Sequence, residues 1–272
     1  MDILESVISE AKDCGGDIFA IGESVCGNPV ICIHKGSYVG RRIIVTAAIH
    51  ARECYTAFVV LRQARDFDSD TCGVYFVPLV NPDGALFFEN GCTFGKPLLE
   101  CNALRRREWK ANADGVDLNT HFDALWGRGE CNKRVPGPSD YIGDSPHLAP
   151  ETRALAELTK SVVPDATVSY HCMGGELYWE FFQDGRRRAR DEMFAAAIAR
   201  RIGVKKVDGH LNSAGGYKDY CVDAFGIPAV TVELIKRGTH PFARADFEEE
   251  ITANADLPTF AFGILEKLSE SL

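Results

Sequence analysis

Short apolar runs rich in β-branched residues recur along this chain and alternate with stretches whose apolar residues fall at helical spacing. Residues 2–13 place Ile3, Leu4, Val7 and Ile8 on one side, which predicts a short amphipathic helix. Ile18–Val25 and Pro29–His34 flank the turn Cys26-Gly27-Asn28 and read as a hairpin at a sheet edge. Ile43–Ile49 is apolar on both faces, the pattern of a strand buried in mid-sheet. Cys54–Arg65 returns to helical spacing through Ala57, Phe58, Leu61 and Ala64. Val74–Val80 predicts another strand, with Pro78 unable to donate to its ladder, closed by the turn residues Asn81-Pro82-Asp83-Gly84.

Periodicity then fades. Ala85–Pro150 reads as a long excursion rich in Gly, Pro and Asn, a length of loop that is usually functional. A helix is predicted from Ala149-Pro150-Glu151 to Ser161, strands at Ala166–Tyr170 and Leu177–Phe182, and a helix at Arg188–Ile202. A short helix at Gly215–Phe225, a central strand at Ala229–Leu234 and a closing helix at Ile251–Leu268 complete the order. This mixture of βα units and hairpins predicts one α/β domain over residues 1–272, a mixed, mostly parallel twisted sheet with helices on both faces.

Composition narrows the partners. A formal charge of −9 over 272 residues argues against a nucleic-acid or anionic membrane surface. No apolar run approaches the roughly 18 residues of a membrane span. The start, Met1-Asp2-Ile3-Leu4-Glu5, is acidic and amphipathic, so no secretory signal is expected. Ten cysteines contain no Cys-x-x-Cys pair, and several lie within apolar elements; most are expected to be reduced, buried and cytoplasmic. Oligomeric state does not follow from the sequence.

The candidate chemistry sits where strands end. His50 and Glu53 follow the strand Ile43–Ile49, His171 follows Ala166–Tyr170, and Glu233 stands near the end of Ala229–Leu234. Open α/β sheets collect their functional groups there, and two His with one carboxylate is a standard catalytic zinc set. Taken singly, each has a plainer reading: a strand-to-helix turn with Glu53 at a helix start, and a satisfied core or loop histidine at 171. Glu233 is harder to dismiss, because an unpartnered carboxylate in a buried strand is expensive.

The ordered blocks His-x-x-Glu at 50–53, Asn-Pro-Asp-Gly at 81–84, Gly-Val-Asp-Leu-Asn at 115–119, the lone His171 and Thr-Val-Glu-Leu at 231–234 resemble the zinc carboxypeptidase family of the carboxypeptidase A type. The resemblance covers roughly residues 40–245. It implies one Zn2+ per chain held by His50, Glu53 and His171, with Glu233 as general base and acid taking a proton from water and passing it to the leaving amine. Lys110 stands where the family carries an arginine that polarises the scissile carbonyl, and can still stabilise an oxyanion as a point charge. Asp117 is assigned to orienting a zinc histidine from behind.

Departures fall on the substrate side. Asn119-Thr120 replaces the family's Asn-Arg, and threonine cannot clamp a carboxylate bidentately. Arg237, Lys236 or Arg105–Arg107 are the candidate substitutes. The usual tyrosine before the late Gly-Gly is unmatched, since His210, Leu211 and Asn212 stand there and Tyr217 follows, so Tyr217 is the candidate to take over that contact. Trp109-Lys110-Ala111-Asn112 and Gly215-Gly216-Tyr217-Lys218-Asp219-Tyr220 resemble the bacterial branch that cleaves the γ-D-glutamyl to meso-diaminopimelate bond of murein peptides, although Asp114 occupies a position where that branch commonly has Arg. Three readings follow: a γ-D-glutamyl peptidase on muropeptides, a carboxypeptidase on ordinary peptides, and a non-catalytic binding member of the fold.

Overall fold

The computed structural model describes residues 1–209 and 214–271. His210, Leu211 and Asn212, where the missing tyrosine would stand, lie outside the described residues. Eight strands form one sheet: β1 (Asp17–Glu23), β2 (Pro29–Gly36), β3 (Arg41–Ala47), β4 (Cys72–Val77), β5 (Ala166–Cys172), β6 (Glu176–Tyr178), β7 (Lys205–Val207) and β8 (Ala229–Leu234). Their spatial order is β1-β2-β4-β3-β5-β8-β6-β7. The inner block β4-β3-β5-β8 is parallel throughout, with antiparallel joints at β1-β2, β2-β4 and β6-β8, so the sheet is mixed as expected. The helices are α1 (Ile3–Asp13), α2 (Ala57–Asp66), α3 (Pro82–Asn90), α4 (Pro97–Cys101), α5 (Pro150–Val162), α6 (Gly185–Ile202), α7 (Tyr217–Tyr220), α8 (Glu248–Ala253) and α9 (Leu257–Ser271).

Strand alternation divides the core in two. Ile43, Val45, Val168, Tyr170, Val230 and Val232 pack on one side with residues of α1, α2, α6 and α9. Ile44, Tyr75 and Val77 point the other way, toward Leu155 of α5 and Tyr217 and Tyr220 of α7. On that second face, the side chains turn polar as β3, β5 and β8 near their carboxyl ends. Thr46 pairs with Ser169, Ser169 with Thr231, and His171 with Glu233; Thr46 and Ser169 hydroxyls meet at 3.0 Å. The alternation that builds the core therefore also delivers the polar stripe.

Several elements differ from the sequence expectation. Asn81-Pro82-Asp83-Gly84 opens helix α3 rather than closing a turn, because a capping Asn followed by Pro is equally the start of a helix. The closing helix is divided at Asn254, whose backbone carbonyl accepts from Gln63 Nε2 at 2.8 Å and whose side chain meets Tyr170 Oη at 3.3 Å. Of Leu177–Phe182 only Leu177 and Tyr178 lie in a strand, within the three-residue β6 (Glu176–Tyr178). Cys14, Cys32, Cys54, Cys172 and Cys221 are buried, whereas Cys101 and Cys131 are exposed. Among the described residues no helix is long and apolar enough to cross a membrane.

Two enclosed carboxylates tie the hairpin turn to the helices. Asp83 accepts from Ser24 Oγ (2.6 Å), Asn28 Nδ2 (2.7 Å) and the Cys26 amide (2.9 Å). Glu151 accepts from the Val25 amide (3.2 Å) and Asn112 Nδ2 (3.1 Å). Burial pushes the Glu151 carboxyl up to about 7, helped by the Asp83 charge and opposed by these hydrogen bonds. The folded state thus holds this proton more tightly than the unfolded chain. Its contribution is present below about pH 4.5, falls as pH rises and is gone above about 7, a loss of about 3 kcal/mol. Denaturant titrations of wild type and Glu151→Gln from pH 5 to 8 should show this downward slope in the wild type and its absence in the variant.

Candidate metal centre

After β3 the chain leaves the sheet, and His50 caps a 3-10 turn over Ala51–Thr56. That turn folds Glu53 back under His50. Thr56 Oγ1 fixes it by donating to the Glu53 carbonyl (2.7 Å) and accepting from the Ala48 amide (3.0 Å). The Glu53 carboxylate is the meeting point of the site. His50 Nδ1 lies 3.0 Å from Oε1, and His171 Nδ1, from the end of β5, lies 3.2 Å from Oε2. The Cys172 amide also donates to Oε2 at 3.2 Å. The two imidazoles stand edge to face, with centroids 4.9 Å apart. Donor atoms of His50, Glu53 and His171 all lie within 4.8 Å of one another, and all three residues are buried.

Electrostatics explain what this cluster lacks. His50 Nε2 meets Asp117 Oδ1 at 3.2 Å, so the ring stands between two carboxylates. Burial disfavours its charged form, but Glu53 and Asp117 outweigh that and raise it to about 9. Burial presses Glu53 and Asp117 upward, and the neighbouring imidazoles overcome it, holding both carboxylates well below their ordinary values. Burial pushes the His171 imidazole below its ordinary value, against the opposing pull of Glu53. The buried acids thus demand positive charge, which a proton on His50 supplies here and a dication would supply better. Two nitrogens and a carboxylate form a donor set that zinc favours, with the Nε2 of His50 turned to a carboxylate behind it.

Glu233 is half-buried and stands in register with His171 on one side and Glu176 on the other. Burial, then the Glu53 charge, push its carboxyl up to about 8. Glu176 accepts from Tyr178 Oη at 2.6 Å, so β6 lends the wall beside Glu233 a polar face. The zinc carboxypeptidase family profile matches residues 16–256. The chain belongs to the zinc carboxypeptidase family.

Among relatives, the chain is 30% identical over 256 residues to the gamma-D-glutamyl-L-diamino acid endopeptidase 1 of Lysinibacillus sphaericus, an alignment covering 84% of this chain and 62% of that protein. It is 28% identical over 157 residues to murein peptide amidase A of Escherichia coli K12, covering 55% of this chain and 57% of that one. In fold it is similar to the carboxypeptidase A of Helicoverpa armigera (TM-score 0.75, 16% identity, 98% of this chain and 71% of that one). It is also similar to the murein-tripeptide amidase MpaA of E. coli O157 (TM-score 0.63, 22% identity, 92% and 94%). The chain spans about three fifths of the length of the endopeptidase and amidase relatives it matches.

The remaining sequence candidates fall into two groups. Lys110, Asp117, Asn119 and Thr120 line one cavity of about 250 Å3 together with His50. Lys110 is carried there by a backbone zipper in which the Ala51 amide donates to the Lys110 carbonyl (2.9 Å) and the Arg52 amide to Trp109 (3.0 Å). Asn119 Oδ1 accepts from the Tyr217 amide (3.1 Å), and the Thr120 hydroxyl turns back to the Asp117 carbonyl (2.9 Å). Tyr217 itself does not present its phenol to the cluster. Helix α7 buries the ring against Phe122 and bonds its hydroxyl to Thr159 Oγ1 at 2.8 Å. Arg237 is exposed on the loop after β8. His121, near enough in sequence to have been a candidate, is enclosed with Nδ1 at the Ile142 carbonyl (2.6 Å) and Nε2 accepting from the Ala149 amide (2.9 Å).

Two features escaped the sequence reading. Lys218 is a buried cation bonded to Asp219 (2.5 Å) and to the Glu180 carbonyl (2.9 Å). A cleft of about 500 Å3 next to Met173 is lined by Arg52 and His240, which the sequence does not single out, together with Arg107 of the candidate run Arg105–Arg107. Lys218 and Arg52 stand within recognised motif blocks, but no periodic or spacing signal raises either one.

Proposed function

We propose that this chain hydrolyses the amide bond between γ-D-glutamate and diaminopimelate in murein peptides, using one zinc ion held by His50, Glu53 and His171. The observation that carries the zinc reading is the convergence of two Nδ1 atoms, from the ends of β3 and β5, on the two oxygens of Glu53. The bond is supported by the activities for which the endopeptidase and murein amidase relatives are named, and by Thr120, whose short hydroxyl cannot form the two-pronged carboxylate clamp that an arginine would. When bound, zinc supplies Lewis acidity that polarises a carbonyl and makes water acidic near neutral pH.

The chain's own groups do the rest. Asp117 accepts from His50 Nε2 and holds the imidazole with Nδ1 facing Glu53. A cation held there would engage the Glu53 charge, which otherwise helps push Glu233 toward its neutral form. Glu233 then takes a proton from the attacking water and returns it to the leaving amine. Lys110, which lines one cavity with His50, Asn119 and Thr120, is the group assigned to the oxygen on which negative charge builds.

Mass spectrometry of products decides the substrate. The zinc-loaded protein should release diaminopimelate from L-Ala-γ-D-Glu-meso-diaminopimelate, leave a plain tripeptide intact, and lose this activity with a chelator. Trimming of the plain peptide alone would replace the murein bond with ordinary carboxypeptidase action. Cleavage of neither would favour a binding role for the fold.

A further inference from the structure

Resting on the oxyanion role just proposed for Lys110, we infer that Asn81 is a positioning residue that sets Lys110 against His50. The Asn81 side chain is fully enclosed. Its Nδ2 donates to the Ile49 carbonyl (3.2 Å), one peptide before His50, and to the carbonyls of Ala111 (3.1 Å) and Lys110 (3.4 Å). Its Oδ1 accepts from the Gly84 amide (3.0 Å), and its own amide donates to the Ala48 carbonyl (3.1 Å). One carboxamide thereby spans the strand end that delivers His50 and the segment that delivers Lys110.

The rest of the motif serves this brace. Pro82 opens the helix that Asn81 caps. Gly84 leaves room for the amide: a methyl there would sit 2.6 Å from Asn81 Nδ2 and 2.7 Å from the Ala111 carbonyl. A displacement of about 1 Å in a charge-stabilising group costs on the order of a hundredfold in rate, so the brace acts through turnover rather than binding.

The experiment is a double-mutant cycle between Asn81→Ser and Lys110→Ala in the zinc-loaded protein, assayed on whichever of the two peptides above is cleaved. Serine retains the capping oxygen for Gly84 and lacks the reach to the three carbonyls. Asn81→Ser should lower kcat by about 10–100-fold with KM within about twofold, as expected for a misplaced catalytic group, and should add little in the Lys110→Ala background. Multiplying losses would show a merely structural role and overturn the inference. Gly84→Ala, which displaces the amide without removing a donor, supplies a second variant, and both are compared at equal zinc content. An arm independent of turnover is NMR of reductively 13C-dimethylated lysines, with the Lys110 signal assigned by its loss in Lys110→Ala. That signal should move in Asn81→Ser; an unmoved signal overturns the brace. An unchanged rate in Lys110→Ala, or no cleavage of either peptide, would reject the catalytic reading while the NMR arm still decides the brace.

Discussion

Glu233→Gln should lower peptide hydrolysis by about 10^2–10^4-fold while the protein keeps its full zinc content, the range expected when a group that moves a proton in the reaction is removed. The substitution preserves side-chain volume, and Glu233 is not one of the three residues whose donor atoms converge. Burial and the Glu53 carboxylate raise Glu233 to about 8 before any cation is present. Its environment therefore makes it responsive to charge at Glu53, as a proton carrier beside a metal must be. Steady-state kinetics with metal analysis of the same sample makes the comparison. A loss below tenfold with zinc retained would remove Glu233 from the reaction.

Glu53→Gln should have the opposite signature, losing metal first and activity with it. Replacement of a residue merely behind a ligand typically costs 10–100-fold in metal affinity, so removing the carboxylate itself should cost more than about 100-fold. Glu53 also receives both imidazoles and the Cys172 amide. Its neutral replacement offers one oxygen where two served. Dialysis followed by metal analysis, and thermal unfolding with and without added zinc, provide the check. In the wild type, zinc should raise Tm through binding to the folded state alone; in Glu53→Gln that rise should vanish. A variant that keeps stoichiometric zinc would mean that Glu53 is not a ligand.

The parts of this molecule legible in sequence are those governed by burial on both faces. β3, β5 and β8 are apolar runs, and their ends bring His50, His171 and Glu233 to one place on the sheet. What stayed hidden depends on partners far along the chain. The helix opened by Asn81-Pro82 uses residues that also make turns, and only the waiting carbonyls of Ile49 and Ala111 show why Asn81 is there. In sequence Tyr217 is the candidate because the tyrosine that the family carries before the late Gly-Gly is unmatched and Tyr217 follows directly. One turn of helix directs it to Thr159 instead. The break at Asn254 is held by Gln63 and Tyr170, neither of which any local window could connect to it. β7, with two lysines in three residues, has no apolar alternation to read.

The 119 residues that separate Glu53 from Cys172, whose amide bonds to it, also bear on how the molecule is made. Neither segment offers a preorganised chelate by itself, because the Nδ1 of His171 reaches Glu53 only after β5 has joined β3 in parallel register. Such pairing closes a long loop and belongs to the slow, late part of folding. If the cluster holds the proposed ion, a newly made chain would complete most of its sheet before it had anywhere to hold it, and metal capture would mark the end of maturation rather than its nucleus.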